Sequence, residues 1–339
     1  MRHGPEFTLA SGPTTVSPAA LGREAGVAAQ ARPGGKVLSI VSGIYGAHLA
    51  GELCERGADV IEVHCDYNDA LDVQSVAEAL SADPDIDVLS VVHCESALGT
   101  LDRLEQIGAV ARRHDVLVLV DAVASLGSES VDPDGWGLDL CIAGPQKCLA
   151  GPLALALMTG SPRAWSAIVD DPSAPRASFL SLIYRRDMWI WQGRFPSAPP
   201  VSDVVALAAA CGEVLAEGLD LRYARHEPAA AACRAGIVGI GFEFWALAGG
   251  VPPAITTALL ADAVSDTQVA GHIRERYSIK LSSGTGLANL VRIDAMGETA
   301  PSVYPAVGVP ASAQGLRDLA VDVDIGSGVT AAMTVLAAA

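Results

Sequence analysis

From Lys36 to Met158, short continuous apolar runs alternate with segments of helical periodicity, and this rhythm restricts the possible folds more than any other feature of the chain. The runs are KVLSIV (36–41), DVIEV (59–63), DVLSVVH (87–93), VLVLVD (116–121), DLCIA (139–143) and LALALM (153–158). Helical spacing fills about Tyr45 to Arg56, then 72–82 and 102–114. A strand that is apolar on both sides is buried on both faces, as in a mostly parallel sheet covered by helices. Regular strand–helix alternation therefore predicts an α/β fold with helices on both faces of the sheet.

The 339 residues exceed what one ordinary core organises, which predicts a large domain and a smaller one. The segment APRASFLSLIYRRDMWIWQGRFPSAPP (174–200) breaks the rhythm and reads as a crossing segment between domains or at a subunit interface. Helices are expected at about 202–218 and 221–236. The remainder reads as an α+β unit with strands AITTALL (254–260) and NLVRI (289–293) and helices near 266–276, 301–319 and 326–338. The expected division is 1–33, a shortened N-terminal segment; 34–235, a large domain; and 236–339, a small C-terminal domain.

A net charge of −17 argues against nucleic acid and anionic membrane surfaces as partners. Half the residues are hydrophobic and 18% are charged, so a sizeable core is available. The N-terminal MRHGPEFTLASGP lacks the apolar run of a signal peptide, and no stretch of about 20 apolar residues is free of charges and breakers. The seven cysteines are scattered, with no Cys-x-x-Cys pair and no Cys/His cluster of zinc spacing. They read as reduced thiols in a cytoplasmic protein without a metal.

Functional groups of open α/β sheets gather at the carboxyl ends of the strands. Three stand there: Asp121 closes VLVLVD, Ser96 follows DVLSVVH by three residues, and Lys147 follows DLCIA by four. Lys147 is one of three lysines in the chain and sits in the small-residue turn IAGPQKCLAGP. Taken singly, Lys147 is an ordinary turn lysine, Asp121 a helix cap, Ser96 a turn hydroxyl and Tyr45 a packing residue. Taken together, an amine that a dry turn can desolvate and a carboxylate at the same crevice suit pyridoxal chemistry. The lysine would form the Schiff base and the aspartate would hold the pyridine nitrogen protonated. Tyr45 in SGIYGAH could stack on the ring.

The block VLVLVDAVASLGSESVDPDGWGLDLCIAGPQKCLAGPLALALMTGSPRAW resembles the class V branch of the fold-type I pyridoxal-phosphate enzymes. More narrowly it resembles their alanine–glyoxylate, serine–pyruvate and pyridoxamine–pyruvate aminotransferase group. The pyridoxamine–pyruvate type looks closest, through SGIYG, GPQKCL, APRASFLSL and RIDAMGETA, with an echo of the group in TLASGPTTVSP (8–18). The resemblance implies that Lys147 is the Schiff-base lysine and proton shuttle and that Asp121 pairs with the pyridine nitrogen. It also implies that Val123 packs under the ring and Tyr45 over it, that Ser96 lies beside the 3-hydroxyl, and that Gln146 counts among the cofactor-binding residues. Arg292, in LVRIDAMG, would grip the substrate carboxylate. The implied cofactor is pyridoxal 5'-phosphate, or unphosphorylated pyridoxal or pyridoxamine taken as substrate. The implied partners are a small amino acid, a 2-oxo acid and a second copy of the chain, as a homodimer or a dimer of dimers.

Three departures from the family pattern accompany the match. A stretch carrying the first large-domain strand and the phosphate-cradling turn is absent between TLASGPTTVSP and ALGREAGVAAQARPGGKVLSIVSGIYG, with Ser17 and Pro18 as the nearest substitute helix start. Ala198 stands where related enzymes present a threonine to the neighbouring subunit, and Thr285 where the pyridoxamine–pyruvate type carries a second arginine. A degenerate, non-catalytic dimer with a broken phosphate site is therefore the alternative; the retained polar set favours chemistry. A nucleotide-binding oxidoreductase would need G-x-G-x-x-G after a first strand, and GIVGIG (236–241) and SSGTG (282–286) lie outside that context. A cysteine desulfurase would need a cysteine on a flexible loop, whereas Cys148 directly follows the lysine.

Overall fold

The computed structural model describes residues 7–8, 32–177, 181–247, 254–260, 263–283, 286, 289–300 and 303–339. Its centre is a six-stranded sheet built from β2 (Lys36–Val41), β3 (Asp59–His64), β4 (Ile86–Val92), β7 (Leu117–Asp121), β8 (Leu140–Ala143) and β9 (Leu157–Gly160). The strand order is β3-β2-β4-β7-β8-β9, parallel through β8, with β9 antiparallel at the edge.

The continuous apolar runs resolve into two cores. Leu38, Ile40, Leu89, Val91, Val118 and Val120 pack on one face with helices Val73–Ala82 and Leu104–Arg113. Val37, Val88, Val92, Leu119 and Leu140 pack on the other with Leu49 and Leu53 of helix Ile44–Glu55. Successive residues of a strand point to opposite faces, so a strand covered on both sides cannot spare either set for polar residues. The small hairpin of β5 (Cys94–Glu95) and β6 (Thr100–Leu101) follows β4 directly.

Helix Leu219–Gly239 leads from the large sheet into the C-terminal unit. There β10 (Glu243–Phe244), β11 (Ile255–Leu259) and β13 (Leu290–Asp294) form a three-stranded antiparallel sheet. Helices Asp266–Tyr277, Val303–Asp318 and Ile325–Ala338 supply the rest of that unit. Its core gathers Val291 and Ile293 of β13 with Val269, Ile273, Val309 and Leu316. The two-residue β1 (Phe7–Thr8) pairs in parallel with β12 (Ile279–Lys280).

Two runs fall differently from the sequence reading. LALALM is not itself a strand; β9 begins at Leu157. The link from Ala143 to Leu157 is occupied by the Lys147 turn and holds no helix, so the chain reverses and pairs antiparallel instead of crossing over. The crossing segment contains a short helix, Leu182–Arg185, continued by a π-helix, Arg186–Trp191. No described helix is long and apolar enough to cross a membrane.

Candidate active site

Asp121 is the last residue of β7, is 7% exposed, and accepts the Val123 amide on Oδ1 at 2.9 Å. Its own carbonyl accepts from the His93 amide at 2.9 Å, which ties the end of β4 to the end of β7. Ser96 follows the β5 strand and is buried. Val123 is half-buried two residues beyond Asp121.

The Lys147 turn follows β8 and is closed by Ala150 N–H to Lys147 O at 3.0 Å and Gly151 N–H to Pro145 O at 2.7 Å. Lys147 is half-buried, and burial holds its amine below the ordinary lysine range. Asp294 opposes that shift and Arg292 adds to it, so strand β13 acts electrostatically on the lysine. Gln146 carries a buried Oε1 with no protein hydrogen-bond partner, an orphan that a bound polar group would satisfy. Cys148 is fully buried, donates from Sγ to the Ala124 carbonyl at 3.4 Å, and has its thiol pushed up to about 11 by burial.

Tyr45 is the second residue of helix Ile44–Glu55 and is half-buried. Glu95, which the sequence reading passed over, sits beside Ser96 and takes the Tyr45 amide at 3.0 Å and the Gly46 amide at 2.6 Å. Such use of a carboxylate on free helix N–H groups is the usual way to satisfy that terminus. A side chain on Gly43 would collide with this carboxylate, which explains the glycine. Burial pushes Glu95 up to about 7, against the two amides and with Asp102 and Asp121 adding to the rise. Asp102 is likewise pushed up to about 7 by burial, although the Ser42 hydroxyl donates to it at 2.5 Å.

Arg292 lies in β13, paired with Thr257, and is 7% exposed. Val291 and Ile293 belong to the C-terminal core, so Leu290, Arg292 and Asp294 share the opposite face. Leu290 packs there with Ala97, Leu98, Ile44 and Tyr45, which directs that face at the large sheet's strand ends. The sequence reading missed Asp294, though its i+2 spacing from Arg292 on a strand already signals it. Ser17, Pro18 and Thr285 lie outside the described residues. Ala198 is described and lies just before helix Val201–Glu217.

A mostly parallel sheet covered by helices on both faces, followed by a smaller C-terminal α+β unit, is the fold-type I architecture of pyridoxal enzymes. The chain belongs to the class V aminotransferase family, whose profile matches residues 13–241. It is 35% identical over 319 residues to the pyridoxamine–pyruvate transaminase of Mesorhizobium japonicum, covering 93% of this chain and 81% of that protein. It is 30% identical over 318 residues to the L-aspartate–glyoxylate aminotransferase of Paracoccus denitrificans, covering 88% and 76%. The crystal structure of pyridoxamine–pyruvate aminotransferase from Mesorhizobium loti superposes with a TM-score of 0.94 at 31% identity, over 99% of this chain and 98% of that one. The chain is accordingly a pyridoxal-phosphate-type transaminase.

Proposed function

We propose that this transaminase moves an amino group between a small amino acid, or pyridoxamine, and a 2-oxo acid of the size of pyruvate or glyoxylate. The observation that carries the reading is the pairing of a desolvated Lys147 amine with Arg292 on the strand that faces it. Pyridoxal, phosphorylated or not, would supply an aldehyde that condenses with amines and a ring that takes up electrons. The donor set fits it: a buried carboxylate in Asp121 for the pyridine nitrogen, and the orphaned Gln146 oxygen beside the lysine. Val123 and Tyr45 are assigned to the two ring faces and Ser96 to the 3-hydroxyl.

An amine held below its ordinary pKa is more often unprotonated, so Lys147 Nζ can act as nucleophile and as general base. In this reading it takes the proton from the substrate α-carbon and redelivers it. Arg292 binds the carboxylate common to both substrates through a charge-assisted, fork-shaped contact. That contact fixes which face of the α-carbon meets Lys147.

Relatives of the pyridoxamine–pyruvate and aspartate–glyoxylate types support pyruvate or glyoxylate as acceptor. Nothing favours the non-catalytic alternative. We place the cofactor unit at 34–235 and the substrate-closing unit at 236–339, on either side of the change from the six-stranded to the three-stranded sheet. We also assign the protein to the cytoplasm and to a homodimer or dimer of dimers. Trp189, Ile190, Trp191, Phe195, Val201, Val204 and Val205 are all exposed along one segment, more apolar surface than a monomer usually leaves open. The reaction is tested by incubating the protein with pyridoxamine and pyruvate and following pyridoxal and alanine together. Equal release of both supports the reading, and absence of alanine from pyruvate and of glycine from glyoxylate with every amino donor contradicts it.

A further inference from the structure

One turn of helix Leu219–Gly239 spends three cationic or imidazole side chains on the backbone of two site-bearing turns. Arg222, 2% exposed, donates from Nη2 to the carbonyl of Cys148 at 2.7 Å, one residue past Lys147. Arg225 donates from Nη1 to the carbonyl of Gly297 at 2.6 Å, and the Gly297 amide donates to His226 Nε2 at 3.1 Å. Gly297 lies three residues beyond the end of the Arg292 strand. Both polar groups of that single residue are thus held from the helix.

Glu217 joins the two arginines. It accepts from Arg222 Nη1 at 2.8 Å and also from Arg225. Because His226 Nε2 accepts, Nδ1 carries the ring proton and donates to the Arg222 carbonyl at 2.7 Å. The two turns also touch directly. Gly297 has φ +54°, and a Cβ there would stand 3.1 Å from Ala150 Cβ and 3.3 Å from the Lys147 carbonyl oxygen. Both features favour glycine.

A buried guanidinium is costly unless it is hydrogen-bonded. Besides Glu217, the partners of Arg222 and Arg225 are carbonyls of the turn that carries Lys147 and of the turn that follows the Arg292 strand. We propose that Arg222, Arg225 and His226 form a positioning clamp that sets the distance between Lys147 and Arg292, and so aligns the α-carbon of a substrate held by Arg292 with the Lys147 amine. The proposal rests on the reading of Lys147 and Arg292 given above. It predicts that loosening the clamp impairs use of the 2-oxo acid and spares reaction of Lys147 with pyridoxal. Misplacement of a reacting group by about 1 Å costs on the order of a hundredfold in rate.

The test compares Arg225→Gln and Arg222→Met with wild type by absorbance of lysine-bound pyridoxal at about 400–430 nm, turnover and KM for pyruvate, and melting temperature. Expected are a pyridoxal Kd within about twofold of wild type and a pyruvate KM raised about tenfold or more. Arg225→Lys, which can still reach the Gly297 carbonyl, should recover most of that loss. Arg225 is partly exposed, so Arg225→Gln decides the matter even where Arg222→Met does not fold. A pyruvate KM unchanged in Arg225→Gln overturns the clamp. So do pyridoxal affinity, turnover and melting temperature falling in step, which would mark a purely structural cluster. Loss of the pyridoxal absorbance in wild type itself would instead overturn the reading of Lys147.

Discussion

Glu95 accepts the backbone amide of Tyr45 at 3.0 Å, so the residue next to Ser96 fixes the first turn of the helix that carries Tyr45. Two groups assigned to one ring are thereby held through a single buried carboxylate. Glu95→Gln keeps one acceptor and sets its amide against the second N–H. The variant should bind pyridoxal several-fold more weakly, measured by absorbance titration, with loss of a charge-assisted bond worth about 1.5–3 kcal/mol.

The same carboxylate makes stability depend on pH. Its folded pKa of about 7 lies above the ordinary 4.5, so the folded state binds more protons. Its contribution is complete below 4.5 and is lost as pH rises to about 7, by roughly 3 kcal/mol. Denaturant melts of wild type and Glu95→Gln across pH 4.5 to 7 should diverge with that sign. Parallel curves would contradict the assignment.

His226 acts in the opposite direction. Burial, with Arg225 and Arg222 beside it, holds the imidazole down at about 4, below the ordinary 6.5, although the Arg222 carbonyl opposes this. Stability from the neutral ring is present above 6.5 and is lost as pH falls toward 4, again by roughly 3 kcal/mol. His226→Gln, which can still accept from Gly297 and donate to Arg222, should flatten that acid limb in chemical denaturation.

Cys148 is predicted to be inert despite lying next to Lys147. A thiol pushed up to about 11 and packed against Ala124 carries little thiolate at neutral pH. Alkylation followed by mass spectrometry should label the exposed Cys54 well before Cys148. Cys148→Ala should keep transaminase turnover within about tenfold, since it removes packing and one weak bond.

Arg292→Gln should raise the KM for pyruvate by about 10- to 100-fold, the equivalent of one charge-assisted contact. Pyridoxal binding to Lys147 should be little changed. Initial-rate kinetics beside absorbance titration separates the two.

The sheet was legible because burial on both faces imposes a local pattern. KVLSIV coincides with β2, and VLVLVD with β7 extended by one residue. Asp121, Ser96 and Lys147 stand out in the sequence because strand ends collect functional groups in this architecture. Glu95 was not, since its partners lie 49 and 50 residues away and nothing near it in sequence marks a helix cap. Arg222 and His226 read locally as the polar side of an ordinary helix. Only the tertiary fold buries that side between the Lys147 and Gly297 turns. The reversal at β9 escaped for a similar reason, because strand direction depends on the connection and not on apolar content.

Lys147 is assigned here as the carbonyl-trapping amine of this transaminase. The decisive measurement is absorbance titration of the purified protein with pyridoxal and with pyridoxal phosphate, run beside Lys147→Ala of unchanged circular dichroism. A band at about 400–430 nm is expected in wild type with one or both ligands and absent in the variant. An equal band in Lys147→Ala, or turnover retained without the lysine, would contradict it.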